Sequence, residues 1–198
     1  MIEWNPWERS FCVGTDPYIT ARTFNRVTSL KGGKGVDAYE IDGNGDNERI
    51  IIEDCIYGFC HGCLTCGSES LHNKNVIIRR IKVGSGYNFL WLKMRPDTYQ
   101  HYEYITAEDI EGEVNNFVNI NPWTQFFDLK GREMPAPSKA DHVTVRNCKV
   151  KCLTAFSIRE KEDEYSLSDF TFENIELDAK NKGNSDFAKR MNSSNVKV

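Results

Sequence analysis

Four closely spaced cysteines have the residue type and spacing of a metal site. The pattern C-x4-C-x2-C-x2-C is formed by Cys55, Cys60, Cys63 and Cys66, and thiolates at such spacings bind zinc or iron–sulfur clusters. The surrounding run is rich in β-formers, however. On a strand, Cys63 and Cys66 should point to opposite faces, because side chains alternate. A free cysteine also packs as a small apolar side chain, so we predict that these cysteines line a core.

The strand that carries these cysteines opens with an apolar hexamer that recurs along the chain. The hexamers begin at Ile50, Val76, Ile105, Val143 and Phe170. Their starts are 26, 29, 38 and 27 residues apart, and a weaker copy begins at Arg22. A period in the twenties with a β-branched strand in each unit is typical of a stacked solenoid. We therefore predict an all-β fold, a right-handed single-stranded parallel β-helix with one coil per repeat, in which Cys148 and Cys152 are also interior.

The repeats organise the chain as one domain over residues 1–198. We expect an irregular entry segment at 1–17, coils over 18–177 and a polar tail at 178–198. The longer spacing before Val143 holds three prolines, which predicts a loop excursion near 121–141. Stacked parallel strands leave open ends, so we expect additional coils or a second chain to complete the solenoid.

Composition and charge exclude several classes of function. The net charge is −4, with 25 basic and 29 acidic residues, which argues against nucleic acid as a partner. No run of 18 apolar residues is present, so no membrane span is expected, and the start of the chain lacks the pattern of a signal peptide. Aromatic residues make up 12% of the chain and suit either sugar stacking or core packing. Arg95, which precedes Pro96, is predicted to be a solvated loop charge.

Two short strings in the cysteine-rich repeat suggest a family. The sequence reads His61-Gly62, then a strand, then Gly67-Ser68-Glu69. These strings resemble the His-Gly and Gly-Ser-Glu signatures of the polygalacturonase family of glycoside hydrolases, family 28, which has a pectin-lyase-like solenoid. One coil later that family carries Arg-x-Lys on a strand. In this chain Lys93 keeps the lysine, and Trp91 replaces the arginine.

The preceding repeats carry the residues that match the family's carboxylates. The family has Gly-Asp-Asp-Cys where this chain has the tetrad 35–38, Gly-Val-Asp-Ala. By this resemblance Asp37 matches a water-activating aspartate, whereas Val36 occupies the position of the proton-donating aspartate. Asp16, in the tripeptide Gly-Thr-Asp, is the candidate for the family's Asn-Thr-Asp.

The resemblance implies inverting hydrolysis of glycosidic bonds in pectic or related plant or algal polysaccharides. Such a reaction needs two carboxyl groups about 6.5–9.5 Å apart. Parallel strands lie about 4.8 Å apart, so Asp16 and Asp37, one coil apart, could reach that separation. His61 would assist them by hydrogen bonding, Lys93 would bind a sugar carboxylate, and Trp91 would stack on a sugar ring.

Several alternatives remain open beside hydrolysis. Because valine cannot donate a proton, Val36 favours either a relocated acid or a catalytically inactive carbohydrate-binding solenoid. Glu69, a predicted substrate-binding residue, is one candidate for that acid, together with Asp42 and Asp46. The fold alone also fits an adhesive β-helix such as part of a tailspike, or a polysaccharide lyase that holds calcium. The hydrolase interpretation implies no cofactor and no metal, an oligosaccharide or polysaccharide partner, and a secreted or periplasmic location.

Overall fold

The fold is almost entirely β-structure. A computed structural model describes residues 2–5, 10–13, 22–25, 28–31, 39–41, 46–67, 70–125 and 127–198. The elements within them are β1 (Ile2–Asn5), β2 (Ser10–Val13), β3 (Arg22–Asn25), β4 (Thr28–Lys31), β5 (Tyr39–Ile41), β6 (Asp46–Cys66), β7 (His72–Met94), β8 (His101–Pro122), β9 (Ser138–Ile158), β10 (Tyr165–Leu167), β11 (Phe170–Gly183), α1 (Ser185–Arg190) and β12 (Asn192–Lys197). The described part of the chain holds no helix with the length and hydrophobicity that crossing a bilayer requires.

The long strands stack in parallel, each on the next strand along the chain. The pairing order from β5 through β6, β7, β8, β9 and β11 to β12 is parallel throughout. The register aligns the hexamers in the series Ile50, Val76, Ile105, Val143 and Phe170. The weaker copy at Arg22 pairs with Ile50. The predicted alignment of the repeats is therefore confirmed, and this parallel sheet is compatible with a β-helix.

Each repeat has two residues in the left-handed backbone region, one just before the hexamer and one at its fifth position. The paired positions are Arg49 with Asp54, Asn75 with Arg80, Tyr104 with Asp109, His142 with Asn147, and Asp169 with Asn174. Left-handed residues other than glycine are uncommon, and Asn and Asp tolerate the conformation best. Neighbouring repeats bond at these positions: Asn147 Nδ2 donates to Asp109 Oδ1 at 3.0 Å, and Asn174 Nδ2 donates to Asn147 Oδ1 at 3.2 Å. The long strands therefore bend at equivalent points.

Alternating side chains of the stacked strands form one continuous core. Ile50 and Ile52 are fully buried, as are their counterparts Val76 and Ile78. Phenylalanines of successive repeats continue the stack, since the rings of Phe89 and Phe117 lie 5.1 Å apart and nearly parallel. Because apolar surface is buried between every pair of repeats, each repeat depends on its neighbours for stability.

The C-terminal end of this core is covered by helix α1. Phe187 of α1 is fully buried and packs edge-on against Phe170, with ring centroids 5.2 Å apart. Strand β12 then pairs with β11 in the same parallel sense. The segment predicted as a polar tail, 178–198, thus carries the end of β11, a short helix and a further strand.

Two rows of charged side chains run across the repeats on the outside of the sheet. In the first charge row the register places Glu53, Arg79, Glu108, Arg146 and Glu173 in order. In the second charge row it places Lys82, Glu111, Lys149 and Glu176 in order. Ion pairs join members of both rows, for example Arg146 Nε to Glu108 Oε2 at 2.6 Å and Lys82 Nζ to Glu111 Oε1 at 2.9 Å. The sign of the charge alternates from each strand to the next.

The excursion between β8 and β9 spans residues 123–137 and is fastened by a buried ion pair. Arg95 binds Asp97 through two hydrogen bonds of 2.9 and 2.7 Å, and Asp97 Oδ2 also accepts from the backbone N–H of Asp128 at 2.7 Å. The hydrogen bonds from Arg95 and Asp128 hold the pKa of Asp97 below its usual range, against the opposing effect of burial. The prediction of a solvated charge at Arg95 is wrong, because its neighbour Asp97 is buried and requires a cation.

The cysteines described by the structure are interior residues, as predicted. Cys55, Cys60, Cys63, Cys66, Cys148 and Cys152 are all buried. The sulfur atoms of Cys60 and Cys63 lie 3.4 Å apart, so the backbone bends between them and simple strand alternation does not hold there. Burial raises the pKa of Cys148 to about 12, which keeps this thiol protonated and unreactive.

Candidate functional site

Aromatic side chains of β6, β7 and the excursion between β8 and β9 form one cluster, the aromatic face. Its members are Phe59, His61, Tyr87, Trp91 and Trp123. The rings meet edge to face, with His61 5.4 Å from Tyr87 and 5.1 Å from Trp91. Trp91 in turn lies 5.4 Å from Trp123. Edge-to-face packing is a favourable arrangement for such rings, so the cluster is a set of mutually fixed side chains.

A lysine ammonium lies between the two indoles of the aromatic face. Lys93 Nζ is 4.5 Å from the ring centroid of Trp91 and 4.8 Å from that of Trp123. Cation–π contacts of this kind contribute about 0.5–2 kcal/mol each. The side chain is only 5% exposed, and the two rings orient the ammonium.

The backbone around Lys93 depends on a glycine. Gly67 has a φ of +117°, and a Cβ added to it would lie 2.6 Å from the Cβ of Lys93. Any larger residue would displace the lysine. The glycine of the Gly-Ser-Glu string is therefore needed where β6 ends beside Lys93.

An array of asparagines, the amide row, borders the aromatic face. Asn88 Oδ1 accepts hydrogen bonds from Asn116 at 3.0 Å and from Asn119 at 2.8 Å, while Asn88 Nδ2 donates to the carbonyl of His61 at 3.3 Å. Asn121 Nδ2 donates to the carbonyl of Ser157 at 3.3 Å. The amide row therefore links three successive repeats to the backbone of His61.

Together the aromatic face and the amide row bring aromatic rings, amides and one ammonium side by side, with Trp91 9% exposed and Asn88 4% exposed. Indole and phenol rings offer apolar faces to the C–H groups of a sugar, and amides donate and accept hydrogen bonds with hydroxyl groups. Lys93 adds a positive charge, which suits an acidic sugar. Ligand sites in proteins commonly combine such aromatic walls with a few fixed polar groups.

The structure brings together three of the residues predicted from the sequence. His61, Trp91 and Lys93 come from two repeats and meet in one cluster. Three further predicted site residues, Asp16, Asp37 and Glu69, lie outside the described residues, as do Val36 and Asp42. The geometric relation between these carboxylates and His61 is therefore not part of the described site.

Three members of the aromatic face, Phe59, Tyr87 and Trp123, were not predicted. Trp123 follows Pro122 at the start of the excursion, and its backbone N–H donates to the carbonyl of Met94 at 2.7 Å. This bond brings Trp123 next to Lys93. Tyr87 is the fourth residue of the stretch Gly-Ser-Gly-Tyr-Asn at 84–88, which has no strong pattern. The only signal for these three residues was their aromatic type.

Comparison with known proteins gives no relative for this chain. No protein-family model, no curated protein and no solved structure matches it. The arguments for its function therefore come from its residues and their arrangement.

Proposed function

We propose that the chain is a right-handed, single-stranded parallel β-helix of the pectin-lyase type, with one coil per repeat. Three features support this proposal: parallel pairing of each long strand with the next, bends at equivalent left-handed residues, and a core continuous through the stack. The right-handed sense follows from the strong preference for right-handed connections between parallel strands.

We infer that this solenoid is a glycoside hydrolase that resembles polygalacturonases and acts on pectic or related acidic polysaccharides. The observation that carries the proposal is the convergence of His61, Trp91 and Lys93 in the aromatic face. A uronate-containing chain lying along this face would stack on the half-buried rings of His61, Tyr87 and Trp123. Its carboxylate would be drawn toward the ammonium of Lys93 behind them. In this proposal Asp37 and Asp16 activate water, a relocated acid such as Glu69 protonates the leaving oxygen, and the bond is broken with inversion.

A second candidate function is carbohydrate binding without catalysis. Val36 stands where the resemblance implies the proton donor, and valine has no proton to transfer. In addition, Lys93 is covered by Trp123 and nearly buried, which suits a fixed recognition element. Both candidates use the same aromatic face, and they differ only in whether a bond is broken.

Release of sugars from polygalacturonan, rhamnogalacturonan and a neutral galactan distinguishes the two candidates. We expect the native chain to release oligosaccharides from an acidic polymer and Asp37→Asn to release none, while binding of the polymer persists. Product analysis by NMR should detect inversion at the anomeric carbon. Equal release by both proteins would contradict the role of Asp37. Binding without release by the native chain would establish the second candidate.

Replacing Lys93 by methionine should weaken binding of acidic oligosaccharides about tenfold. Methionine keeps an unbranched apolar side chain between the indoles and removes the charge, so we expect binding of neutral galactan oligosaccharides to be unchanged. Isothermal titration calorimetry with both ligands measures the difference. The matched control is Lys182→Met, at an exposed lysine on β11, which should affect neither ligand. Equal losses for acidic and neutral ligands in K93M would mean that Lys93 acts only through packing.

A further inference from the structure

Two histidines on a different stretch of β7 and β8 form a cluster unrelated to the aromatic face. His72 and His101 are paired in the parallel register. Their imidazole rings are stacked, with centroids 5.5 Å apart and an angle of 9° between their planes. One imidazole directly above another at equivalent positions brings two nitrogen ligands to the same point on the surface.

A carboxylate completes a three-residue group at this point. Glu103 follows His101 by two residues and so lies on the same face of β8. Its Oε1 atom is 2.8 Å from His72 Nε2. One ligand atom from each of His72, His101 and Glu103 lies within 4.8 Å of the others. Among the described residues, these are the three side chains of metal-binding type that come this close together.

A second carboxylate orients one of the histidines. Asp141 Oδ2 is 2.8 Å from His101 Nε2, and the register places Asp141 beside Glu103 on the next strand. Histidines that bind metals usually hold their second ring nitrogen against such a carboxylate. The side chains of His72 and His101 are 27% and 25% exposed, so an ion can reach them from solvent.

We propose that His72, His101 and Glu103 form a binding site for a divalent transition-metal ion of the zinc type. Two imidazoles and one carboxylate are preferred ligands of Zn²⁺, and three protein ligands leave a fourth position for water. Ligand bonds of about 2.0–2.2 Å place the atoms around one ion about 3.3 Å apart. The side chains of His72, His101 and Glu103, which are 27%, 25% and 13% exposed, reach this separation by small rotations. Such an ion cross-links β7 to β8, and imidazole ligands disfavour Ca²⁺ and Mg²⁺.

A neighbouring lysine competes with the metal for the carboxylate. Lys74 Nζ lies 3.3 Å from Glu103 Oε1, so its positive charge opposes a cation at this point. Removing that charge should therefore strengthen metal binding. This expectation separates a metal site from a hydrogen-bonded cluster that contributes only to folding, which has no reason to gain metal affinity when an ion pair is removed.

Titration of the full chain with ZnCl₂, after treatment with a chelator, tests the proposal. We expect one Zn²⁺ per chain, an unfolding temperature that rises with Zn²⁺ concentration, and no comparable effect of MgCl₂ or CaCl₂. His72→Asn and His101→Asn should each abolish this binding. Asp141→Asn should weaken it about 10–100-fold, and Lys74→Met should strengthen it. His61→Asn is the matched control and should bind Zn²⁺ as the native chain does.

Circular dichroism of each variant establishes that it is folded, so that loss of binding reports on the ligands. Co²⁺ in place of Zn²⁺ identifies the ligand type, because thiolate ligands produce an intense charge-transfer band that imidazole and carboxylate do not. Absence of Zn²⁺ binding, unchanged affinity in both folded histidine variants, or a thiolate band that persists in them would each overturn the proposal.

Discussion

Replacing Asp97 by alanine should lower the free energy of unfolding by about 3–5 kcal/mol, the usual cost of breaking a buried ion pair. The side chain of Asp97 is fully buried and that of Arg95 is 13% exposed, so the substitution removes the carboxylate bound to the guanidinium. It also removes the acceptor of the Asp128 N–H. Chemical denaturation of native and variant protein measures the loss. Asp186→Asn breaks an ion pair exposed on α1 and should leave the denaturation midpoint unchanged.

The same pair predicts a dependence of stability on pH. The pKa of Asp97 is lowered in the folded chain by its hydrogen bonds with Arg95 and Asp128. Its contribution is therefore present above the pKa of the unfolded state and is lost as pH falls through the lower, folded-state pKa. The difference in stability between native protein and Asp97→Asn should shrink over that acidic window. A difference that stays constant down to pH 2 would contradict this assignment.

Loss of the Arg95–Asp97 ion pair should also loosen the aromatic face. Asp128 lies in the excursion that begins with Trp123, and Trp123 covers Lys93. Amide hydrogen exchange in Asp97→Ala should increase over residues 123–137 more than over β7 or β8. Equal protection of the excursion in both proteins would mean that other contacts hold it in place.

Replacing Gly112 by alanine should cost about 3 kcal/mol or more. Gly112 has a φ of +149°, and a Cβ built on it would lie 2.1 Å from the carbonyl oxygen of Val83 on the neighbouring strand. Backbone atoms of a stacked repeat cannot yield as a flexible side chain can. The register explains the crowding, because Val83 to Asn88 on β7 is matched by the shorter segment Gly112 to Asn116 on β8.

A second glycine supplies the matched control for this substitution. Gly131, in the excursion, has a φ of +73°, but a Cβ there would meet nothing within 4 Å. Gly131→Ala therefore tests backbone strain without a clash and should cost about 1 kcal/mol. Thermal unfolding of both variants gives the comparison. Similar losses of stability in Gly112→Ala and Gly131→Ala would mean that β7 and β8 separate easily beside Gly112.

The stacking of the repeats could be predicted because its signal is local. Alternating β-branched residues in each hexamer specify which side chains face inward, and a shift of one residue would expose them. The hexamers at Ile50 and Val76 therefore pair as their sequences predict. Burial of Cys148 and Cys152 follows from the same alternation.

The bends of the strands and the position of Trp123 over Lys93 could not be predicted from local sequence patterns. Arg49, Arg80 and Tyr104 adopt left-handed backbone conformations that their residue types do not favour, because neighbouring repeats impose the bend. Trp123 reaches Lys93 because its backbone N–H bonds to the carbonyl of Met94, and the excursion is fastened to Asp97 through Asp128. Both contacts join residues far apart in sequence. A pattern read over ten or twenty residues contains neither relation.

The alternating signs of the two charge rows constrain how such a chain can gain repeats by duplication or lose them by deletion. Deleting the single repeat that begins at Ile105 would set Arg79 beside Arg146 and Lys82 beside Lys149, and like charges directly opposite are destabilising. Deleting two successive repeats, residues 76–142, would instead bring Glu53 beside Arg146. Descendants of this chain should therefore differ in length by even numbers of repeats, because only then do opposite charges remain adjacent in the two charge rows.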